Sequence, residues 1–592
     1  MSKEAGLCAQ SARWLIRTSC GIVNKSYCGP RFTWIVALIN DFMQASLRRA
    51  SSSSRLLQLF LLLMLPLPAV ASRAEWLYGV KAGDTLVGIA ADYLTNPNGW
   101  HTLQVLNQVP NPKRLKPGSK LRLPVAMLKR EAGVAEVIYL QGKVTRTPRN
   151  GTSQSLSVDA RLQVGDAIET ANDSNVSLRF MDGSRLLLTP NTRITLAEMV
   201  LYGKTGMAQT LIELHRGSID TRVAKQVKPA ARYEIRSRPI NLAVRGTDFR
   251  AYVDETNQAS RGEVLEGVVQ ARGAGGKMIA VKDGFGILSV AGEPPRAPVA
   301  LPPVPDLSRL PDLIERLPLR FAFSDTSGTG RYRAQVFTDR TFDRLLLDGV
   351  FDGSTAKWTD LPDGRYVLRV RGIDRNGLEG LNADREFVLK ARPEPPFISA
   401  PLSGQKSYGP ESALRWSASA SAHSYHVQVS ATPDFSALLA DVSGLVKTEY
   451  AVPLAPGQYY WRIASIAAGD DRGPFSDVQG FTQRKIPESP KMEAPQVSDE
   501  SLAFSWAAGE LGSQYQLQVA RDPEFSRIVQ DKVLTGNRAQ VERPEPGTYY
   551  LRMKTIDADG FAGPFGPAQK MDIPESRWWM FLLLLPLIPL GL

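Results

Sequence analysis

The sequence predicts a mainly β, multidomain chain, and three observations carry that prediction. Residues 134–292 alternate apolar and polar positions between closely spaced glycine turns, the period-2 pattern of half-buried strands. From residue 319 a unit of about 90 residues recurs, each copy with alternating runs around one large aromatic, as in a seven-stranded sandwich. Only one short segment, 74–126, carries helical spacing. The 592-residue length fits several domains at about 100–200 residues each.

The N-terminal 71 residues read as an over-long start followed by a signal peptide. Arg48, Arg49 and Arg55 precede an apolar run from Leu56 to Leu67, and Ala69-Val70-Ala71 supplies small residues for cleavage near Ala71. This is the three-part pattern of a secretory leader, with Met43 as the expected start. The cysteines, Cys8, Cys20 and Cys28, all precede that start. The rest of the chain therefore offers no disulfide scaffold and no thiolate chemistry. The whole chain carries +12, from 71 basic and 59 acidic residues; residues 1–71 hold eight and two of these, leaving 63 minus 57, or +6. So mild a charge does not point to nucleic acid. The far end, 577–592, is apolar after Arg577 (WWMFLLLLPLIPLGL). Its fifteen apolar residues would reach only about 22 Å as a helix, short of a ~30 Å bilayer core. The expectation is a membrane-associated tail from Trp578 to Leu592.

The segment 74–126 reads as a βααβ unit. A strand from Trp76 to Val80 leads to a turn at Gly83, and Asp84 or Thr85 can cap the next helix. Leu86, Ile89, Ala90 and Tyr93 recur at helical spacing and are expected to face the core. Asn96-Pro97-Asn98-Gly99 turns the chain into a second helix with Trp100, Leu103, Val105 and Leu106, and Lys116-Pro117-Gly118 turns it into a strand, Lys120 to Leu123. Tyr78, Val80, Gly83-Asp84-Thr85-Leu86, Ile89-Ala90, Trp100, Leu106-Asn107, Leu115-Lys116-Pro117-Gly118, Leu121 and Pro124 together resemble the LysM family. That resemblance implies binding of N-acetylglucosamine-containing glycan, in a bacterium peptidoglycan. The glycan would lie between two loops, here Gly83, Asp84, Thr85 and Leu86, and Asn107 through Leu115 and Lys116.

Residues 134–292 place strands at Ala135–Leu140, Val176–Phe180 and Arg185–Leu188, with turns at Gly142, Gly165-Asp166, Asp182-Gly183, Gly217, Glu266-Gly267 and Asp283-Gly284. The elements Leu162-x-x-Gly165-Asp166, Asp182-Gly183-Ser184, Pro190-Asn191-Thr192, Leu214-x-x-Gly217, Val244-Arg245-Gly246-Thr247-Asp248-Phe249 and Val264-Leu265-Glu266-Gly267-Val268-Val269 resemble the periplasmic FecR domain. The resemblance implies a sensing or protein-contact role. Arg245 and Asp248 are read as turn or ion-pair fixtures rather than a site.

Residues 293–318 hold eight prolines from Pro294 onward and read as an extended linker. The repeats follow at 319–392, 396–486 and 491–575. Tyr332, Tyr425 and Tyr515 are 93 and 90 residues apart, as are Phe323, Trp416 and Trp506; Phe342, Phe435 and Phe525; and Tyr366, Tyr459 and Tyr549. Arg369, Arg462 and Arg552 each follow the last tyrosine by three. The repeats resemble fibronectin type III domains, in which that tyrosine packs and the arginine points outward.

Catalytic chemistry finds little purchase. His101, His215, His423 and His426 are the only histidines, and no Gly-x-Ser-x-Gly elbow, P-loop or dinucleotide fingerprint occurs. No cofactor is expected. The expectation is a non-catalytic, exported envelope protein that binds peptidoglycan. It would present its other domains to an envelope or inner-membrane protein, with no nucleic-acid partner. The alternatives are a periplasmic sensor subunit of a transmembrane signalling system and, third, an adhesin.

Overall fold

The computed structural model describes residues 74–575, apart from 226–230, 245, 257–258, 327 and 499. The leader, the apolar tail and Arg245 lie outside the described residues. Among those described, no helix is long and apolar enough to cross a membrane.

In the first segment, strands Glu75–Gly79 and Lys120–Pro124 pair antiparallel, Tyr78 opposite Leu121. Two α-helices lie between them in sequence, Leu86–Tyr93 and Trp100–Asn107. Leu86, Ile89 and Ala90 are buried as the spacing predicts, but Tyr93 is only half-buried. Val105 is 80% exposed, because two residues along the helix carry it to the side opposite the face that buries Leu103.

From Glu131–Ala132 to Val299–Ala300 the strands form a closed barrel around a single apolar core that includes Leu178, Ile212, Tyr233 and Phe249. Gly217, expected as a turn, lies inside the 15-residue strand Ala208–Arg222. The strand's first half pairs with Arg193–Leu201 and its second half with Arg185–Leu188 and Asp248–Asp254. Gly217 is the corner between them. Its φ is +85°, and a Cβ there would sit 2.3 Å from Thr192 Oγ1 and 2.8 Å from Asn191 O. Only glycine allows both.

Each repeat is a two-sheet sandwich. The first has a five-stranded sheet facing Leu319–Ala322 and Thr355–Trp358; the third has sheets of three and four strands. Phe323, Trp416 and Trp506 are buried in the cores, each edge-on to the repeat's first tyrosine at 4.9, 5.6 and 5.2 Å. The second conserved tyrosine donates its hydroxyl to a backbone carbonyl four residues upstream in every copy: Tyr366 to Pro362 O, Tyr459 to Ala455 O and Tyr549 to Glu545 O, at 2.7, 3.0 and 2.8 Å. This is the corner that pins the sandwich where the chain crosses between sheets.

The proline-rich stretch 293–318 is not a free linker. Val299–Ala300 pairs with Phe285 and Gly286 of the barrel. Leu313–Ile314 adds a parallel strand to Ala383–Leu389 of the first sandwich, and Leu307 and Leu310 enter that sandwich's core. Prolines confine φ, but the alternating leucines between them supply apolar area that the sheets bury. The later proline segments dock likewise. Gly380, Gly473 and Gly563 occupy equivalent positions, and a Cβ on them would come within 2.6, 1.9 and 2.1 Å of Pro302, Pro393 and Pro487 carbonyl oxygens. The missing side chain lets each incoming segment lie directly on its sandwich.

Candidate functional sites: the glycan loops and a buried interdomain joint

Thr85, not Asp84, caps the first helix: its hydroxyl accepts from Gly88 N at 3.0 Å, satisfying one of the orphan amides of the first turn. Gly83 turns the chain with φ +90° and has open space around it, and Asp84 is half-buried. Leu86 is fully buried, and its N–H leaves the helix to donate to Pro112 O at 2.9 Å. That bond ties the first predicted loop to the second. Asn107 ends the second helix, donating Nδ2 to Leu103 O at 2.9 Å. Gln108 then takes a left-handed φ of 53°, and Asn111 Oδ1 accepts from Lys113 N. Leu115 is half-buried. Lys116 is exposed and opens the turn to the last strand, its carbonyl accepting from Ser119 N and Oγ at 3.1 and 2.6 Å. The two loops thus offer exposed backbone and amide groups around a buried leucine, a surface that can hydrogen-bond a polymeric sugar. The residue missed by sequence reasoning is Pro112. Its value lies in a carbonyl, which side-chain patterns do not mark.

A second constellation lies where the barrel meets the first sandwich. Arg250 is 1% exposed; its Nε reaches Glu263 Oε2 at 3.2 Å, and its other nitrogens donate to Glu379 O, Gly380 O and Asn382 Oδ1 at 2.6, 2.7 and 3.1 Å. The Glu379 carboxylate in turn takes Arg333 Nε at 2.8 Å and Arg371 Nε. Arg333 also grips Asp348 through both carboxylate oxygens, and Arg371 donates to Gln335 Oε1. Burial pushes the Glu379 pKa upward, but Arg333, Arg371 and Arg250 outweigh it and hold the carboxyl well below the usual range. Burial pushes Glu263 the other way, above its ordinary value, with Arg250 opposing. A buried charge without partners is prohibitively costly, so these groups hold the two domains in one register.

The first sandwich is gripped at a second place. Leu187 of the barrel packs on Phe337 and Leu345. Asn175 and Gln141 side-chain amides donate to Leu345 O and Leu346 O, each at 3.1 Å, Ser177 Oγ donates to Asp343 O at 2.6 Å, and Arg185 pairs with the Asp343 carboxylate. Asp248, a FecR-pattern residue, pairs with Arg222 at 3.3 Å, as a fixture would. The arginines expected to point outward instead lie over rings: Arg369, Arg462 and Arg552 sit 3.5, 4.0 and 4.0 Å from the centroids of Phe342, Phe435 and Phe525.

Comparison with known proteins matches two segments of the chain to families. Residues 78–124 match the family model "LysM domain" and residues 166–270 match "FecR protein". No curated protein matches the chain. Among solved structures, the chicken CNTN1 FN1–FN3 domains are 17% identical, covering 46% of this chain and all of that one, with a TM-score of 0.23. The fibronectin(III)-like modules of Clostridium thermocellum CbhA are 12% identical over 31% of this chain and 95% of theirs, with a TM-score of 0.22. A candidate anti-sigma factor from Parabacteroides distasonis is 14% identical over 23% of this chain, with a TM-score of 0.20, and the match spans 59% of its length. At such scores the sandwich assignment rests on the strand order and the tyrosine corners.

Proposed function

We propose that this protein is a non-catalytic component of the bacterial cell envelope that binds peptidoglycan through residues 74–126 and presents its barrel and sandwiches for protein contact or signal relay. The observation that carries the reading is the LysM match over 78–124, with both glycan loops joined by the Leu86–Pro112 hydrogen bond. Gly83, Asp84, Thr85, Leu86, Asn107, Leu115 and Lys116 are the residues proposed to line the glycan site. Sugar hydroxyls would find the loop amides, over a turn that the buried Leu86 side chain anchors. Export by the leader and membrane contact by the tail belong to the same proposal.

The test uses the mature chain and insoluble murein sacculi. The wild type is expected to pellet with sacculi, and a chain lacking 74–126 to stay in the supernatant. Equal pelleting of the two removes the glycan-binding claim; release of soluble muropeptides removes the non-catalytic one. The sensor reading draws support from the FecR match over 166–270. It predicts an inner-membrane protein crosslinked through the barrel.

A further inference from the structure

The same edge strand behaves differently in the three sandwiches. Leu345–Asp352, Leu438–Leu445 and Ile528–Thr535 are equivalent by the 93- and 90-residue spacing, and each ends its sheet beside the first-tyrosine strand. All three begin with two aliphatic residues: Leu345-Leu346, Leu438-Leu439 and Ile528-Val529. In the first copy the barrel covers this start and Leu345 is 0% exposed. In the others it is bare: Leu438 and Leu439 are 44% and 53% exposed, Ile528 and Val529 44% and 41%. An aliphatic edge strand left open is a template for another protein.

The chain itself shows what covers such a strand. On the first sandwich the cover is a β-domain face with one aliphatic residue, Leu187, and neutral donors, Gln141, Asn175 and Ser177, that satisfy edge carbonyls. The covering barrel adds Arg185 against Asp343. The equivalent residues in the other copies are Ser436 and Ser526, so their partner gains nothing from an arginine there. A second copy's barrel is not free to serve, because its Leu187 face with Gln141, Asn175 and Ser177 already holds that copy's own first sandwich. In the third sandwich, edge-to-edge pairing of two copies in the symmetric antiparallel registers centred on Asp531 or Lys532 sets like charges directly opposite.

We propose that Leu438–Leu445 and Ile528–Thr535 are docking strands for a β-domain of a partner protein, one that offers an aliphatic side chain flanked by amide and hydroxyl donors. The proposal rests on reading the sandwiches as contact modules and is independent of glycan binding, which the sacculus assay scores separately.

The test places the photocrosslinker p-benzoylphenylalanine at position 439, 529 or, as a control on the opposite edge of the third sandwich, 570, in the full chain in the cells that make it. Positions 439 and 529 are expected to give a discrete adduct to another protein, mapped by mass spectrometry to a strand carrying Asn, Gln or Ser beside an aliphatic residue. Position 570 should give none. The adduct should fall at least fivefold with Leu438→Asp or Ile528→Asp, whose folding is checked by thermal melting; Leu438→Lys and Ile528→Lys serve if either aspartate variant does not fold. Absence of an adduct, equal yield at 570, an adduct to lipid, or one with twice the chain mass overturns the proposal.

Discussion

The Arg462 guanidinium lies over the ring of Phe435, 4.0 Å from its centroid, and Phe435 holds a left-handed backbone with φ 59°. The pair recurs as Arg369 with Phe342 and Arg552 with Phe525, at φ 57° and 59°. A bulky residue rarely takes that conformation, so its turn is strained by about 1–3 kcal/mol, and the arginine helps hold the ring down. In the second and third copies that arginine also donates Nε to a strand glutamine, Gln428 or Gln518.

A double-mutant cycle between Arg462→Ala and Phe435→Ala is expected to show coupling of about 1 kcal/mol in urea unfolding of the second sandwich, the size of a part-desolvated cation–π contact. Additive losses would show that the ring and the cation are merely neighbours.

The three tyrosine corners differ in burial, and their energies should follow. Tyr549 is 1% exposed, whereas Tyr459 is only half-buried. Tyr549→Phe leaves Glu545 O without its donor in a part-buried place and is expected to cost about 1 kcal/mol. Tyr459→Phe, where water can replace the hydroxyl, should cost less than half as much. Chemical denaturation of the full chain with a fluorescence probe in each sandwich resolves the two, and an inverted order would reject burial as the controlling variable.

Much of this was legible in the sequence because repetition reveals it. The spacing that aligns Phe323, Trp416 and Trp506 located three cores, and the Gly-Asp-Thr-Leu run located the turn and cap that open the first helix. Other features were silent for physical reasons. Arg371 and Arg333 sit in alternating strands and Glu379 in the connection after one of them, places where a charge normally faces water, and nothing local says that another domain covers that face. Arg462 looked outward because its partner lies 27 residues earlier in a turn whose φ only the fold discloses. Gly473 carries no local signal, since the proline that needs its missing Cβ is 80 residues away.

Gly473 supplies a direct test of linker docking. In Gly473→Ala the new Cβ would meet Pro393 O, a rigid backbone atom, at 1.9 Å, so the segment entering the second sandwich must lift. The expected result is a loss of about 1–3 kcal/mol, typical of overpacking, with faster limited proteolysis near residues 393–401. A substitution at Gly79, whose surroundings are open and whose φ is ordinary, should leave that cleavage unchanged. Equal cleavage in wild type and Gly473→Ala would mean that the proline segment is not seated.

The buried joint makes the sharpest prediction, because its two carboxylates carry opposite signs. Glu379 has a depressed pKa in the fold. Its contribution is present at pH above the ordinary glutamate pKa and lost only as pH falls well below that range. Glu263 has a raised pKa, so its burial favours the fold at acid pH and that advantage is lost as pH rises through the raised value. Glu379 faces three arginines, and Glu379→Gln leaves Arg333, Arg371 and Arg250 without their shared charge, a loss of about 3–5 kcal/mol for a broken buried pair. Glu263→Gln removes a carboxylate that burial already penalises and should cost clearly less at pH 7. Thermal melts of both variants across pH 2–8 are the check. The gap between Glu379→Gln and wild type should hold from pH 8 down to the ordinary glutamate range and narrow only below it, because the folded carboxyl resists protonation. A gap that stays unchanged down to pH 2, or a larger loss in Glu263→Gln than in Glu379→Gln at pH 7, would show that packing and not charge holds the barrel to the first sandwich.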